Sequence, residues 1–212
     1  MRFHGFFRSS SAYRCRIAFN RKGIQPDTAH VSLRRNEQRS PGYLALNPQG
    51  LVPALDTGEG VLAQSLAIIE WLDETQPGPK LLPADPMTRA QVRAFAQVIA
   101  CDIHPLQNLR VLNYLETTFG ADQEARDEWC RTWIAPGLEA CEAIAAAQDH
   151  GGAFAFGDTP SLADICLIPQ MFSADRFGLP LDPYPRLNAI RAACEALPAF
   201  AEAHPARQPD AV

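Results

Sequence analysis

The chain has 212 residues, of which 47% are hydrophobic and 20% charged, and its formal net charge at pH 7 is −5. This length allows one large domain or two small ones, and the composition is that of a globular protein. The negative charge argues against nucleic acid or an anionic membrane surface as the main partner. Since no apolar run reaches the ~20 residues that span a bilayer, we expect neither a nucleic-acid-binding protein nor a membrane protein.

Six cysteines are scattered along the chain without a Cys-x-x-Cys pair: Cys15, Cys101, Cys130, Cys141, Cys166 and Cys194. Most lie in apolar, helix-like surroundings, where a free cysteine acts as a small hydrophobic residue. We therefore expect no disulfide framework and no metal site. The N-terminal residues do not resemble a signal peptide, and the cysteine usage predicts a reducing, cytoplasmic location.

The first 80 residues alternate between strand-like and helix-like segments, as in an α/β unit. Strands are predicted at 3–7, at 28–33, after Pro53 and at 61–63, the last two joined by a turn at 56–60. Helices are predicted at 11–22, ending at Gly23, at 43–46, and at 65–75 with Ser65 as the cap. Proline is permitted at the start of a strand, and a cis bond to Val52 would free the Val52 backbone to pair outside the sheet.

A proline-rich linker at 77–86 separates this unit from a part predicted to be helical throughout. Helices are expected over 87–118 with an interruption at Pro105, over 122–148 with a bend at Pro136, and over 165–172, 185–197 and 198–204. Ser161 and Asp164 fit a capping box that starts the third of these helices. The sequence therefore predicts two domains, 1–80 and 86–212.

Three serines, Ser9, Ser10 and Ser11, follow the first predicted strand and begin a helix. Hydroxyl groups, unpaired backbone N–H groups and the partial positive charge of a helix N-terminus meet there, so the turn suits an anion such as a thiolate. The turn contains no cysteine, and a thiolate bound there must come from a ligand. The alternative is that the serines only cap the helix.

Several stretches resemble the cytosolic glutathione transferases. The pattern Ser-Ser-x-x-Tyr-Arg-x-Arg-Ile-Ala at 9–18 is similar to their zeta class, the maleylacetoacetate isomerases, and the bacterial members resemble the chain most. Further similar stretches lie at 46–53, 64–70, 105–109, 157–158, 161–164 and 207–210. Two positions depart from the pattern: Ser11 stands where many zeta enzymes have cysteine, and His104 where some have glutamine.

The resemblance implies a thioredoxin-like α/β N-terminal domain, an all-α C-terminal domain and a homodimer. It also implies a glutathione-dependent cis–trans isomerase that converts maleylpyruvate or maleylacetoacetate into its fumaryl isomer. In this reaction the glutathione thiol adds to the double bond, the bond rotates, and elimination returns the thiol. A glutathione transferase that conjugates or dehalogenates small electrophiles, and a non-enzymatic binding protein of the same fold, remain as alternatives.

The resemblance also implies roles for particular residues. The thiol would be activated by Ser9, Ser10, Ser11 and Arg14. The glutathione peptide would be held by Val52, Gln64 and Ser65, by Gln38 and Gln49 at its glycine end, and by Asp102, His104 and Asn108 from the helical domain. Asp102 would meet the γ-glutamyl amine, if necessary across a dimer interface.

Arginine suits the two carboxylates of a maleyl keto acid, because its planar guanidinium forms paired hydrogen bonds. The candidates for this grip are Arg8, Arg110 and Arg176. On one continuous helix His104 and Asn108 would share a face, with Arg110 some 120° away from His104. The alternatives are an ordinary partly buried histidine at His104 and a favourable helix-end charge at Arg176.

Overall fold

The computed structural model describes residues 1–148 and 151–211. They form two compact units, one of Met1–Leu81 with the C-terminal residues from Ala196, the other of Leu82–Glu195. Among the described residues, no helix is long and apolar enough to cross a membrane.

A four-stranded mixed sheet forms the centre of the first unit. Its strands are β1 (Arg2–Gly5), β2 (Asp27–His30), β3 (Ala54–Asp56) and β4 (Val61–Ala63). They lie in the order β2-β1-β3-β4, with β1 parallel to β2 and antiparallel to β3, and with β3 antiparallel to β4. The strands occur where they are predicted, but the first two end earlier.

Three helices accompany the sheet: α1 (Ser10–Lys22), α2 (Pro41–Leu46) and α3 (Ser65–Thr75). Helix α1 ends at Gly23 with φ of 67°, a conformation that glycine adopts without a steric penalty. Lys22 and Asp73 connect α1 to α3 by a buried ion pair of 2.8 Å. The same carboxylate accepts the Leu81 N–H at 2.8 Å, so it also fixes the end of the unit.

The second unit consists of helices: α4 (Pro86–Gln97), α5 (Leu109–Phe119), α6 (Gln123–Ala147), α7 (Leu162–Arg176) and α8 (Pro185–Glu195). The capping box that starts α7 is confirmed, since Asp164 accepts the Ser161 N–H at 2.8 Å and the Ser161 hydroxyl accepts the backbone N–H of Asp164.

The predicted helix over 87–118 is interrupted over a longer stretch than Pro105 alone suggests. A π-helical segment, Val98–Ile103, and a 3₁₀ turn, His104–Gln107, lie between α4 and α5. Pro105 has no N–H for the carbonyl of Cys101, and its ring would clash with that carbonyl in a regular α-helix. The chain therefore changes its winding before it reaches the proline.

The C-terminal segment packs on α1 in the first unit through α9 (Pro198–Ala201), and a 3₁₀ turn, Pro205–Arg207, follows it. The Asn20 amide donates to the carbonyl of Ala199 at 2.9 Å, and Arg16 Nε donates to the carbonyl of Ala203 at 3.0 Å. The predicted domains of 1–80 and 86–212 differ from the structure at this end, because these hydrogen bonds and the buried Phe200 attach the segment to α1.

Candidate functional site

Ser9 is the N-cap of α1, where its hydroxyl accepts the N–H of Ala12 at 3.2 Å. The hydroxyls of Ser9 and Ser11 lie 3.0 Å apart, and Ser11 donates to the carbonyl of Val52 at 3.1 Å. A serine has one hydroxyl proton, so that of Ser11 is engaged by Val52 and Ser9 is the donor between the two serines. Of these two serines, Ser9 is therefore the one whose proton can turn toward an anion without breaking a contact to another segment.

The backbone at Val52 is fixed from the preceding residue. The carbonyl of Leu51 accepts the Tyr43 hydroxyl at 2.7 Å and the Asn47 amide at 2.8 Å. Burial raises the pKa of Tyr43 to about 12, so it remains a donor at neutral pH. The Val52–Pro53 bond is cis, and the Val52 N–H makes no hydrogen bond with the described residues. Val52 thus offers a backbone donor to an extended peptide.

Tyr43 and Asn47 were not among the residues predicted for the site. Their signal in the sequence is the Asn-Pro-Gln-Gly stretch at 47–50, which belongs to the resemblance, and the helix predicted at 43–46. Neither signal indicates that two side chains converge on a single carbonyl.

Arg14 is directed to the start of α3. Its side chain is 1% exposed, and Nη1 donates to the Ser65 hydroxyl at 3.3 Å. Its Nε and Nη2 atoms are buried and have no hydrogen-bond partner among the described residues. Arg14 thus points inward, with its guanidinium in contact with Ser65, and its contribution of charge at the serine turn stays a prediction.

Gln64, and not Ser65, is the N-cap of α3, so the predicted cap is wrong by one residue. Gln64 has φ of 70°, a conformation that side-chain-bearing residues rarely adopt, and its amide donates to the Gln49 side chain at 2.9 Å. Ser65 opens the helix, where free N–H groups and the helix dipole favour a negative charge. Beside it, the half-partnered Arg14 adds the charge that a carboxylate requires.

Gln38 is a further buried group with unused bonding capacity. It is 8% exposed, its amide nitrogen donates to the Asn36 side chain at 2.9 Å, and its Oε1 has no partner among the described residues. A buried polar atom without a partner costs free energy, which a ligand donor would recover. Within the described part of the chain, the first unit therefore has unpartnered polar groups at Gln38, Val52 and Arg14. The Arg14 guanidinium suits a carboxylate, and the other two suit amides; glutathione carries both kinds of group.

The candidate cofactor residues of the second unit lie around the break between α4 and α5. Asp102 is exposed in the π-helical segment, His104 is half-buried in the 3₁₀ turn, and Asn108 caps α5 by accepting the Arg110 N–H at 3.1 Å. Asn108 has an extended backbone with ψ of 142°. The expectation that His104 and Asn108 share a helical face is therefore wrong, and the 120° angle expected on one continuous helix does not apply to Arg110, because no single helix contains these residues.

The three candidate substrate arginines are all exposed. Arg8 precedes the serine turn, and partial burial together with the nearby charge of Arg34 lowers its pKa. Arg110 lies in the first turn of α5. Arg176 lies in the last turn of α7, with its guanidinium 4.4 Å from the centre of the Phe177 ring. Its position also stabilises the helix end, so this alternative holds beside a role in binding.

Comparison with known proteins identifies the family of the chain. The family model for the glutathione S-transferase N-terminal domain matches residues 8–75, and the model for the C-terminal domain matches residues 123–193. The chain is 52% identical over 210 residues to maleylpyruvate isomerase from Ralstonia sp., covering 99% of both proteins.

Two solved structures are similar over their whole lengths. One is a holo structure of maleylpyruvate isomerase, described as a bacterial zeta-class glutathione S-transferase, with 51% identity, full coverage of both chains and a TM-score of 0.98. The other is maleylacetoacetate isomerase from Methylobacterium extorquens with bound malonate and glutathione, with 42% identity, full coverage and a TM-score of 0.96. The chain therefore belongs to the zeta-class glutathione transferases, the family of the maleylpyruvate and maleylacetoacetate isomerases. The predicted fold, a thioredoxin-like unit followed by helices, is confirmed.

Proposed function

We propose that the protein is a glutathione-dependent cis–trans isomerase that converts a maleyl keto acid, maleylpyruvate or maleylacetoacetate, into its fumaryl isomer. The observation that carries this proposal is that the site has hydrogen-bond donors for a thiol peptide but no nucleophile of its own. Ser9, Val52 and Arg14 offer the donors, and no cysteine lies in the serine turn. Glutathione, when bound, supplies the thiol whose reversible addition makes the double bond rotatable.

The chain's own task at the serine turn is to favour the thiolate over the thiol. The N-terminus of α1 contributes partial positive charge, and Ser9 contributes a hydroxyl proton. Ser11 holds the Val52 carbonyl and thus fixes the distance between the turn and the peptide-binding segment. Ser10 is buried beside them and completes the turn.

The peptide is held by backbone and side-chain donors. Val52 provides an N–H for the cysteinyl unit, and Ser65 with Arg14 binds the γ-glutamyl carboxylate. Gln64 assists there, and Gln38 and Gln49 serve the glycine end. From the second unit we assign Asp102, His104 and Asn108 to the same ligand, with Asp102 for its amine.

The dicarboxylate substrate is oriented by guanidinium groups. Arg8 directly precedes the serine turn in the sequence, so we assign it to the end of the substrate nearest the thiol. Arg110 and Arg176 are assigned to the other end. The relative with bound malonate and glutathione supports a dicarboxylate as the class of substrate.

The function is tested with purified protein, glutathione and maleylpyruvate, followed by absorbance. We expect isomerisation without consumption of glutathione. A parallel assay with a chloronitrobenzene distinguishes the alternatives, since conjugation without isomerisation would identify a transferase of small electrophiles. Failure of the protein to bind a glutathione column would favour a non-enzymatic protein.

The thiol-activating role of Ser9 is tested with Ser9→Asn and Ser9→Asp, both of which keep a capping side chain. We expect Asp to raise the pKa of the bound thiol by about one unit relative to Asn, because a neighbouring negative charge disfavours a thiolate. Thiolate absorbance against pH measures this. Equal values in the two variants would reduce Ser9 to a cap.

We further infer a homodimer located in the cytoplasm. The support is the family resemblance together with the reducing environment that six free cysteines indicate. Analytical ultracentrifugation that gives the mass of a single chain would overturn the dimer.

A further inference from the structure

Charged side chains bind both the backbone N–H and the carbonyl of Phe7, the residue before Arg8. The Phe7 N–H donates to Asp210 Oδ2 at 2.9 Å, and Arg16 Nη2 donates to the Phe7 carbonyl at 2.9 Å. Hydrogen bonds to charged groups are about twice as strong as those between neutral groups. The peptide groups on either side of Phe7 are therefore fixed in orientation, and the second of them begins Arg8.

Arg16 connects the same residue to the C-terminal segment. Its Nε donates to the Ala203 carbonyl at 3.0 Å, and its Nη1 lies 3.5 Å from the Phe6 carbonyl. Burial lowers the pKa of Arg16 to about 10, which leaves it charged at neutral pH. Residues 203 and 210 are thus attached to one short stretch, Phe6–Phe7, by two independent side chains.

Asp210 is itself held from its second oxygen. Oδ1 lies 3.2 Å from His30 Nδ1 at the end of β2, and the carboxylate side chain is only 16% exposed. A pocket of about 330 Å³ lies against Phe6, Phe7 and Asp210. The Phe7 ring lies edge-on to Phe6 at 4.7 Å between ring centres, and the guanidinium of Arg34 lies 5.5 Å from its centre, so side-chain contacts and backbone hydrogen bonds together fix the segment.

We propose that Asp210 is a positioning residue for Arg8: by holding the Phe7 N–H, it sets where the Arg8 guanidinium meets the carboxylate of the substrate. This rests on the proposed function only in taking Arg8 as a carboxylate-binding residue. Asp210 touches neither glutathione nor substrate in this assignment. Its contribution is to the affinity for the dicarboxylate and not to the binding of glutathione.

The test compares Asp210→Ala, Asp210→Asn and the control Glu202→Ala, an exposed carboxylate on the same segment. The Asp210→Ala variant loses the acceptor for Phe7, so we expect the KM for maleylpyruvate and the Kd for malonate to rise about tenfold. The Asn variant keeps a neutral acceptor oxygen, and its values should lie between those of the wild type and the Ala variant. The Kd for glutathione should remain within the range of the control, while the midpoint of thermal unfolding falls because the Phe7 N–H loses its charged acceptor.

A double-mutant cycle with Arg8→Ala separates positioning from general destabilisation. If Asp210 acts through Arg8, Asp210→Ala has no further effect on the malonate Kd once Arg8 is absent. An additive effect overturns the proposal, as does a malonate Kd equal to that of Glu202→Ala. Malonate binding does not require turnover, so a protein without isomerase activity would refute the proposed function while the cycle still decides the role of Asp210.

Discussion

The candidate residues of the two units are held in very different ways. In the first unit, Ser11, Arg14 and Gln38 are buried, and each makes a hydrogen bond to another residue of the site or its surroundings. In the second unit, Arg110 and Arg176 are exposed at helix ends. Preorganised groups bind with a smaller entropic cost, so we expect the buried groups of the first unit to lose less freedom on binding a ligand than the exposed arginines of the second unit.

The frame of the first unit offers the largest expected effect. Asp73→Ala leaves the Lys22 ammonium, whose side chain has no exposed surface, without its partner, and we expect a loss of about 3–5 kcal/mol in the free energy of unfolding. The matched variant Asp175→Ala in the second unit removes a half-exposed partner of Arg191, which keeps Glu195, and should cost under about 1 kcal/mol. Urea denaturation measures both, and similar losses would contradict the contrast between the units.

Ligand binding sharpens the same comparison. Arg14→Ala removes a buried donor group from Ser65. We expect the binding free energy of glutathione to weaken by about 2 kcal/mol, as for a charged hydrogen bond, which raises its Kd roughly thirtyfold. Arg176→Ala should leave that Kd unchanged and raise the KM for the maleyl substrate. Isothermal titration with glutathione measures the Kd of both variants. An equal loss of glutathione affinity in the two would contradict the assignment of Arg14 to glutathione and Arg176 to the substrate.

Variants of Gln64 test whether the backbone at the N-cap of α3 is strained. Both Gln64→Ala and Gln64→Gly lose the contact to Gln49, but only glycine adopts φ of 70° without cost. We expect the Gly variant to be more stable than the Ala variant by about 1 kcal/mol. Chemical denaturation of the two variants measures the difference, and a more stable Ala variant would show that the position is unstrained.

His4 in β1 gives the smallest effect. Burial, aided by the charge of Arg2, lowers its pKa below the ordinary value of 6.5. The unfolded chain therefore takes up this proton more readily, so the free energy of unfolding falls as the pH falls below about 6.5. We expect His4→Gln to reduce this slope in denaturation curves taken between pH 5 and 7, roughly the range in which histidine titrates. An unchanged slope would assign it to other groups.

Local signals in the sequence predicted much of this fold. The serines at 9–11, the glycine at 23 and the Ser161–Asp164 box mark helix ends through bonds that span only a few residues. The break between α4 and α5 was underestimated, since a proline indicates where a helix is disturbed but not how far the disturbance spreads toward the N-terminus.

Side-chain direction in the site was harder to predict. Arg14 lies within one turn of the serines in sequence, yet its contact is with Ser65, 51 positions further along the chain. The attachment of Asp210 to Phe7 spans 203 positions and has no local pattern at all. Such contacts depend on how the elements pack, and spacing within one helix or strand carries no information about it.

The return of residues 196–211 to the first unit makes the second unit an insertion within the first. During synthesis, the glutathione-binding half has all of its strands once residue 63 has been made, but Arg16 and Phe7 still lack the acceptors that Ala203 and Asp210 provide. The half that is encoded first is therefore completed last. A chain stopped before residue 196 would contain every proposed glutathione ligand and still leave the segment before the serine turn unsecured.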